Sequence, residues 1–307
     1  MGLTYDQISG ITERKFIPKL YDNIFNSNPY LQRARKRSYE LVDGGISIMV
    51  PLNYATPTAS GWYWGADTLN VNDNDQITSA EYTWKALYTN ISILRTDELK
   101  NAGDEQMVSL VKSKVKIAEK NMEDQLGTGV FSNNTNAKSI VGLQYMMSTS
   151  NTIGGISQST YSWWQPGSVD STTTTTSLSA MMTVWNLCTI GSWSPTCVIT
   201  TRTLFNYYYG LLQPQQRFQD TDSASGGFQS LLFNGIPVLP DSHCPSNCMF
   251  FLNEDYLHLF AHKEEDMRFE PFSKPVNQNV KVAKIYWMGA YGSSNMRLQG
   301  ALTALTS

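Results

Sequence analysis

Charged side chains are scarce in this chain. Lys, Arg, Asp and Glu make up 16% of the 307 residues, and the formal net charge is −3. Globular proteins usually carry about a quarter charged residues. A charge balance so close to zero creates no global basic field that would draw the chain onto nucleic acid. Low charge with many Thr, Ser, Asn and aromatic residues favours a protein that packs against other proteins, although an ordinary neutral globular protein has a similar composition.

Cysteine and histidine are also rare, with four and three residues respectively. The first ten residues, MGLTYDQISG, contain no basic flank followed by an apolar stretch, so we expect no secretory signal. Four cysteines in a chain without such a signal predict reduced thiols. Three histidines leave little general-base capacity near neutral pH.

Long apolar runs and known catalytic motifs are missing. No run approaches the ~20 residues that span a bilayer, so we expect no membrane partner. The sequence has no G-x-S-x-G elbow, P-loop, H-E-x-x-H or Rossmann glycine fingerprint. We therefore predict that the protein is not an enzyme and holds no cofactor. A glycosidase-like carboxylate pair stays open, because its two members need not be neighbours in sequence.

Two short segments resemble fragments of metal sites. Asp73–Asn74–Asp75 is similar to the start of a calcium loop, but Thr78 and Trp84 stand where that loop needs Gly and Glu. The segment from His243 to Cys248 contains one imidazole and two thiols, whereas a closed zinc site needs four ligands, which Cys188 and Cys197 could complete only if the fold brought them there. Buried thiols are the simpler interpretation, and we predict no metal site.

Two strands and a long connection are predicted between residues 46 and 94. The first strand alternates Ile46, Ile48, Val50, Leu52 and Tyr54, and Pro51 marks it as an edge strand. The second begins near Ala80, with Tyr82, Trp84, Ala86 and Tyr88 on one face. Its apolar phase shifts at Ile91 and Ile93, which indicates a bulge or a strong twist near Thr89–Asn90.

The connection between these strands contains three adjacent aromatic residues, Trp62, Tyr63 and Trp64. A two-stranded hairpin is marginally stable in water by itself. We therefore expect it to lie on another surface and to bury its aromatic rings there. Two alternatives remain open: two of the rings fill a pocket in the same chain, or the aromatic tip stacks on sugars.

The strongest helix is predicted over residues 104–126, ending before Gly127. Weaker patterns predict a short helix beginning at Pro18, helices over 178–188 and 202–212, and strands near 196–200, 236–239 and 249–252. A dense basic run contains Arg33, Arg35, Lys36 and Arg37. These four charges either offset local Asp and Glu or contact nucleic-acid phosphates.

Several phrases in order along the chain carry a family resemblance. They are GWYWGADTL, ITSAEYTWK, DELKNAG, DQLGTGVFS, VGLQYMM, LLQPQQRFQD, GGFQSLLFNGIPVLPDSHCP and MFFLNEDYLHLFAH. From about residue 40 to its end, the sequence resembles tailed-bacteriophage major capsid proteins. The resemblance implies an α+β fold of the Hong Kong 97 type, with an N-terminal arm, an extended hairpin called the E-loop, a peripheral (P) domain with a long spine helix, and an axial (A) domain.

The resemblance also implies domain boundaries. Residues 1–45 would be the N-terminal arm, 46–94 the E-loop, 95–139 the P-domain with its spine helix, 140–263 the A-domain, and 264–307 P-domain strands returning toward the A-domain. The domain that contains the final strand stays open.

A shell-forming function follows from the same resemblance. The chain would form pentamers and hexamers of an icosahedral shell around double-stranded DNA, with a portal protein at one vertex and a possible scaffolding or decoration protein. The shell would assemble in the host bacterial cytoplasm and become the virion capsid. An encapsulin-like nanocompartment is one alternative, and a glycan-binding or glycoside-hydrolysing β-rich protein is another.

Two groups of contact residues are expected on these terms. The proposed subunit contacts, laid over the spine helix or P-domain of a neighbour, are Trp62, Tyr63, Trp64, Tyr82 and Trp84. The proposed contacts to DNA inside the shell, or to a neighbouring subunit, are Arg33, Arg35, Lys36 and Arg37.

Overall fold

The computed structural model describes residues 28–72, 74–100, 110–170, 177–212, 231–275 and 278–305. The predicted helix at Pro18 and residues 104–109 of the predicted long helix lie outside these ranges. The described residues divide into two compact units. Unit 1 contains residues 89–122 and 269–285, and unit 2 contains residues 26–88, 123–268 and 286–307.

Helices and strands alternate irregularly along the chain. The helices are α1 (Pro29–Arg37), α2 (Arg95–Lys100), α3 (Leu110–Val130), α4 (Leu143–Met146), α5 (Leu178–Leu187) and α6 (Arg202–Leu212). The strands are β1 (Tyr39–Val42), β2 (Ser47–Asn53), β3 (Ile77–Thr83), β4 (Lys85–Leu94), β5 (Thr152–Ile153), β6 (Ile156–Ser157), β7 (Val169–Asp170), β8 (Cys197–Thr200), β9 (Leu231–Phe233), β10 (Ile236–Pro240), β11 (Met249–Leu252), β12 (Leu257–His262), β13 (Arg268–Ser273), β14 (Val280–Ser293) and β15 (Gly300–Thr303). Among the described residues, no helix combines the length and apolar character that a membrane span needs.

The main core of unit 2 surrounds a six-stranded sheet with the order β7-β15-β11-β8-β10-β9. All four residues of β8 and all four of β11 are buried, as expected for central strands covered on both faces. Residues of α5 and α6 pack on this sheet, with Met181, Val184, Leu204 and Tyr208 in its core. The predicted helices and strands between residues 178 and 252 are thereby confirmed.

The last strand, β15, joins this same sheet. It pairs with β11 in the register Met249↔Leu302 and with β7 in the register Leu302↔Val169. Strand β15 therefore lies in the sheet that contains β8, β10 and β11, and its assignment to the P-domain or the A-domain stays a prediction.

The residues after the basic helix form strand β1, which belongs to a second set of paired strands in unit 2. Strand β1 runs parallel to β12, with Tyr39 opposite Leu259, and β12 runs antiparallel to β14, with Leu259 opposite Tyr291. Helix α1 begins with Pro29 at its first position and buries Tyr30, Leu31 and Ala34. Residues 29–42 of the expected N-terminal arm are thus a helix and a strand within unit 2.

The predicted hairpin is confirmed as strands β2 and β3 with residues 54–76 between them. The pairing is antiparallel from Ser47↔Thr83 to Asn53↔Ile77. Ile48 and Leu52 are buried and alternate with exposed Met49 and Pro51. We call β2, β3 and residues 54–76 the hairpin.

The phase shift in the second predicted strand lies earlier than the sequence indicated. Ala80 and Tyr82 are buried in β3, whereas the buried residues of β4 are Ile91 and Ile93. Even-numbered residues therefore face inward in β3 and odd-numbered residues face inward in β4. The change occurs at Trp84, which lies between the two strands and belongs to neither. The expected bulge at Thr89–Asn90 was wrong, since β4 runs unbroken through both positions.

Helix α3 ends at Val130, four residues beyond the predicted end. Gly127 is inside the helix, where a Cβ atom would collide with the side chain of Asn28. A Cβ atom at Gly129 would make a tight contact with the side chain of Ile140, at 3.2 Å. These glycines allow other segments to approach the helix and do not terminate it, which is why the cap interpretation of Gly127 was wrong.

Candidate subunit-contact surface

The aromatic side chains at the hairpin tip project into solvent. Trp62 is fully exposed, Trp64 is 88% exposed and Tyr63 is 67% exposed. A local turn holds them, because the Trp64 N–H donates to Asp67 Oδ2 at 2.9 Å and Gly65 adopts a positive φ of 56°. The alternative in which two of these rings fill a pocket of the same chain was therefore wrong. We call these three residues the tip aromatics.

Exposed apolar side chains continue from the tip along the hairpin. Leu69, Val71 and Ile77 are each more than half exposed, and so are Met49 and Ile46 nearer the base. Single exposed apolar residues are normal, whereas a run of them along one element makes it a candidate interaction surface.

The base of the hairpin is anchored in its own chain. The Glu81 N–H donates to Gly154 O at 2.9 Å, the Tyr82 hydroxyl donates to Ser293 O at 2.6 Å, and the Trp84 indole N–H donates to Gly45 O at 2.9 Å. Burial raises the pKa of Tyr82. Tyr82 is 4% exposed and Trp84 is half-buried. Both side chains therefore make contacts within their own subunit, and neither belongs to the exposed surface of the hairpin.

The basic run lies within α1, and two of its charges converge on one buried carboxylate. Arg33 Nε lies 2.6 Å from Glu254 Oε1, and Arg37 Nη1 lies 3.0 Å from Glu254 Oε2. The Glu254 side chain is completely buried and also accepts a hydrogen bond from Thr196 Oγ1 at 2.9 Å. The hydrogen bond to Glu254 raises the pKa of Arg33 above its ordinary value, against the opposing effect of burial.

The other two basic residues lie in different surroundings. Arg35 Nη1 lies 3.3 Å from Glu123 Oε1 on the surface of α3, and Lys36 is exposed. Three of the four charges thus have a carboxylate partner in the same chain, which is the arrangement that the charge-offset interpretation describes. Contact of this run with DNA or with a neighbouring subunit stays a prediction.

The histidine of the partial zinc motif at residues 243–248 lies between two carboxylates. His243 Nε2 lies 2.8 Å from Asp124 Oδ1 and His243 Nδ1 lies 3.3 Å from Asp241 Oδ1. All four cysteines are buried and unpaired, and burial raises the pKa of the Cys188 thiol to about 12. Across the described residues, no group of three or more His, Cys, Asp or Glu side chains is placed to hold a metal ion. Asp73 of the calcium-like segment lies outside those residues.

Sequence reasoning missed a group of aromatic residues beside the hairpin. Tyr54 stacks on Trp163 with ring centroids 5.4 Å apart, and Tyr161 lies 6.1 Å from the same ring. The segment SWWQ at 162–165 was a usable signal, because adjacent tryptophans outside a strand pattern are uncommon in a solvated loop.

No protein-family model and no curated protein matches this sequence. Solved structures do match over the whole chain. The capsid asymmetric unit of cyanophage A-1(L) has a TM-score of 0.72 and 16% identity, covering 99% of this chain and 100% of that one. The capsid of a native GTA particle also has a TM-score of 0.72, at 11% identity, with 100% of both chains covered.

A shell protein of another kind is also similar. The encapsulin of the holo-SrpI complex from Synechococcus elongatus PCC 7942 has a TM-score of 0.65 and 9% identity, covering 99% of this chain and 96% of that one. At these identities the comparisons establish the fold. The chain has the α+β fold of tailed-phage major capsid proteins, the Hong Kong 97 type, as the sequence resemblance implied.

Proposed function

We propose that this chain is the major capsid protein of a tailed phage and that its copies assemble into a closed icosahedral shell around double-stranded DNA. In this role the chain is a structural component of the virion and has no catalytic site. Agreement of the fold over the full length of two capsid proteins supports the proposal.

The hairpin carries this proposal, because its apolar side chains need a partner outside the subunit. Fully burying one large apolar side chain contributes ~1.5–3 kcal/mol. The tip aromatics and Val71 have almost none of that stabilisation within their own chain. Residues 46–94 would act as the E-loop and place the tip aromatics on the spine helix or P-domain of an adjacent subunit. Heterologous contacts of this kind produce a closed assembly when the rotation between neighbours closes.

The remaining partners follow from the same role. Pentamers and hexamers of the chain would form the shell, a portal protein would occupy one vertex, and a scaffolding or decoration protein could take part in assembly in the bacterial cytoplasm. Of the basic run, Lys36 has the most accessible charge for non-specific contact with packaged DNA or a neighbour.

An encapsulin-like compartment is the second candidate, since an encapsulin shares the fold over nearly the whole chain. The two functions differ in what the shell encloses. A phage capsid would enclose DNA, whereas the nanocompartment alternative encloses a protein cargo.

Negative-stain electron microscopy of the purified full-length protein tests the proposal. We expect closed, uniformly sized particles, which from phage-infected cells would contain nuclease-protected DNA. Particles that contain a host protein and no DNA would favour the compartment. A monomer that persists at high concentration, or saturable binding to a glycan array without particles, would overturn shell assembly.

A further inference from the structure

A cavity of about 550 Å³ lies in unit 2 between the hairpin and residues 154–163. Tyr54, Asp75 and Glu81 line it from the hairpin, and Tyr161 and Trp163 line it from the opposite side. The backbone hydrogen bond from Glu81 to Gly154 fixes the two sides relative to each other. We call this space the aromatic–acidic cavity.

The aromatic wall of the cavity is open to solvent. Tyr54 and Trp163 are stacked with an interplanar angle of 25°, which holds both rings in place. Tyr54 remains 36% exposed and Tyr161 remains 48% exposed. The faces of aromatic rings carry negative electrostatic potential and attract cations placed over them.

The charged groups that line the cavity also favour a cationic ligand. Its two ionisable carboxylates belong to Asp75 and Glu81, both exposed, and no Lys, Arg or His lines it. Within the described part of the chain, neither carboxylate takes part in an ion pair. A neutral ligand would gain the ring contacts alone, whereas a cationic side chain would interact with the rings and the carboxylates together.

We propose that the aromatic–acidic cavity receives a lysine or arginine side chain from a second copy of this chain. The identity of that partner rests on the proposed shell function. Charge complementarity requires a cationic donor, and the proposed function, which places the hairpin on the spine helix of a neighbour, directs the choice to α3. This helix exposes Lys112 and Lys116 one helical turn apart. The contact would fix the base of one subunit's hairpin against the helix of another, beside the contact made by the tip aromatics.

Probe binding tests the cavity without requiring assembly. The full-length protein is labelled with 5-fluorotryptophan, and the Trp163 fluorine signal is assigned with Trp163→Phe. N-acetyl-arginine methylamide is expected to shift that signal saturably, and Glu81→Gln should weaken its binding about threefold to fivefold. An absent shift, equal binding of the neutral citrulline analogue, equal binding to Glu81→Gln, or saturation by maltotetraose at the same concentrations would overturn the cation site.

Charge exchange tests the second copy. Glu81→Lys is expected to lower particle yield about tenfold, whereas Glu264→Lys, the same charge change at an exposed residue outside the cavity, should assemble normally. Adding Lys116→Glu or Lys112→Glu to Glu81→Lys should restore assembly, and near-UV circular dichroism verifies that each subunit is folded. Equal yields from Glu81→Lys and Glu264→Lys, or a loss that neither second change rescues, would overturn the proposed donor. If the wild-type chain forms no particles, the proposed function fails while the probe titration still decides the cavity.

Discussion

The imidazole of His243 joins Asp124 of α3 to Asp241, which follows strand β10. Its Nε2 lies 2.8 Å from Asp124 Oδ1, and its Nδ1 lies 3.3 Å from Asp241 Oδ1. Asp241 also accepts the backbone N–H of Tyr30 at 3.1 Å. A neutral imidazole has one N–H and can donate to one carboxylate, so the doubly bonded arrangement needs the imidazolium. Deprotonation of His243 therefore removes one of the two hydrogen bonds that join α3 to this loop.

The stability of the subunit should depend on pH through His243. The hydrogen bond to Asp241 is the largest cause of a raised pKa for His243, and the bond to Asp124 adds to it against desolvation. Because the folded-state pKa is raised, the stabilisation is complete below the unfolded value of about 6.5 and is lost as pH rises through the folded value.

We expect His243→Gln to lower the free energy of unfolding by about 1.5 kcal/mol at pH 5.5 and by less at pH 9. Denaturant titration at several pH values measures this difference. His262→Gln is the control, since His262 contacts the Trp84 ring and forms no ion pair with a carboxylate of the described residues. A pH-independent effect of His243→Gln would contradict the imidazolium arrangement.

Removing the tip aromatics should separate folding from assembly. Trp62→Ala combined with Trp64→Ala deletes two rings that bury almost nothing in the subunit, so its free energy of unfolding should change by less than about 0.5 kcal/mol. Assembly should be weakened or blocked, because each buried ring would contribute ~1.5–3 kcal/mol per contact. Sedimentation and negative stain measure the result, and the matched control is Trp62→Phe with Trp64→Phe. Shells of normal yield and stability from the alanine variant would contradict the contact.

The basic run should divide into structural and surface charges. Arg33→Glu with Arg37→Glu places like charges against the buried Glu254 carboxylate and should destabilise the subunit by several kcal/mol. Lys36→Glu changes an exposed charge and should leave the midpoint of thermal unfolding unchanged.

Lys36→Glu is therefore the variant that tests contact with DNA or with a neighbour. Reduced genome retention or assembly from this folded variant would support the contact. Wild-type behaviour in both assays would contradict it. Reversing all four charges together gives no such separation, because loss of folding would produce the same phenotype.

Features set by local alternation were predictable from the sequence. Ile48 and Leu52 face inward and Pro51 faces outward because side chains of a strand alternate with a period of two. The hairpin was predictable because two such strands flank a connection that has no alternating pattern. The exposure of Trp62 and Trp64 was also expected, since the tip has no core pattern of its own.

Features set by long-range contacts were not predictable in this way. The phase change at Trp84 accompanies an indole N–H that donates to Gly45, 39 residues away. The partner of His243 lies 119 residues earlier in the chain, and that of Arg33 lies 221 residues later. Residue spacing carries no information on such pairs, so the buried site of Glu254 and the aromatic–acidic cavity emerge only from the three-dimensional structure.

Two helical glycines should respond in opposite ways to the same substitution. Gly127→Ala places a methyl group against Asn28, whose Nδ2 donates to Glu123 O at 2.9 Å, and should destabilise the subunit by about 1–2 kcal/mol after the gain in helix propensity. Gly210→Ala in α6 meets open space and should stabilise it by about 0.5–1 kcal/mol. Thermal unfolding of both variants gives the comparison. Stabilisation by Gly127→Ala would show that α3 and Asn28 do not pack so closely.

Thiol reactivity should report both the fold and the burial of the hairpin tip. The four native cysteines are at most 6% exposed, and with a pKa of about 12 the thiolate fraction of Cys188 at pH 8 is about one in ten thousand. We expect Ellman's reagent to react with them only as the subunit unfolds.

Ser60→Cys, at an exposed position next to the tip aromatics, should react at once in the free subunit. In assembled particles its reaction should slow strongly if a neighbouring subunit covers the tip, and equal rates in both states would show that the tip stays in solvent.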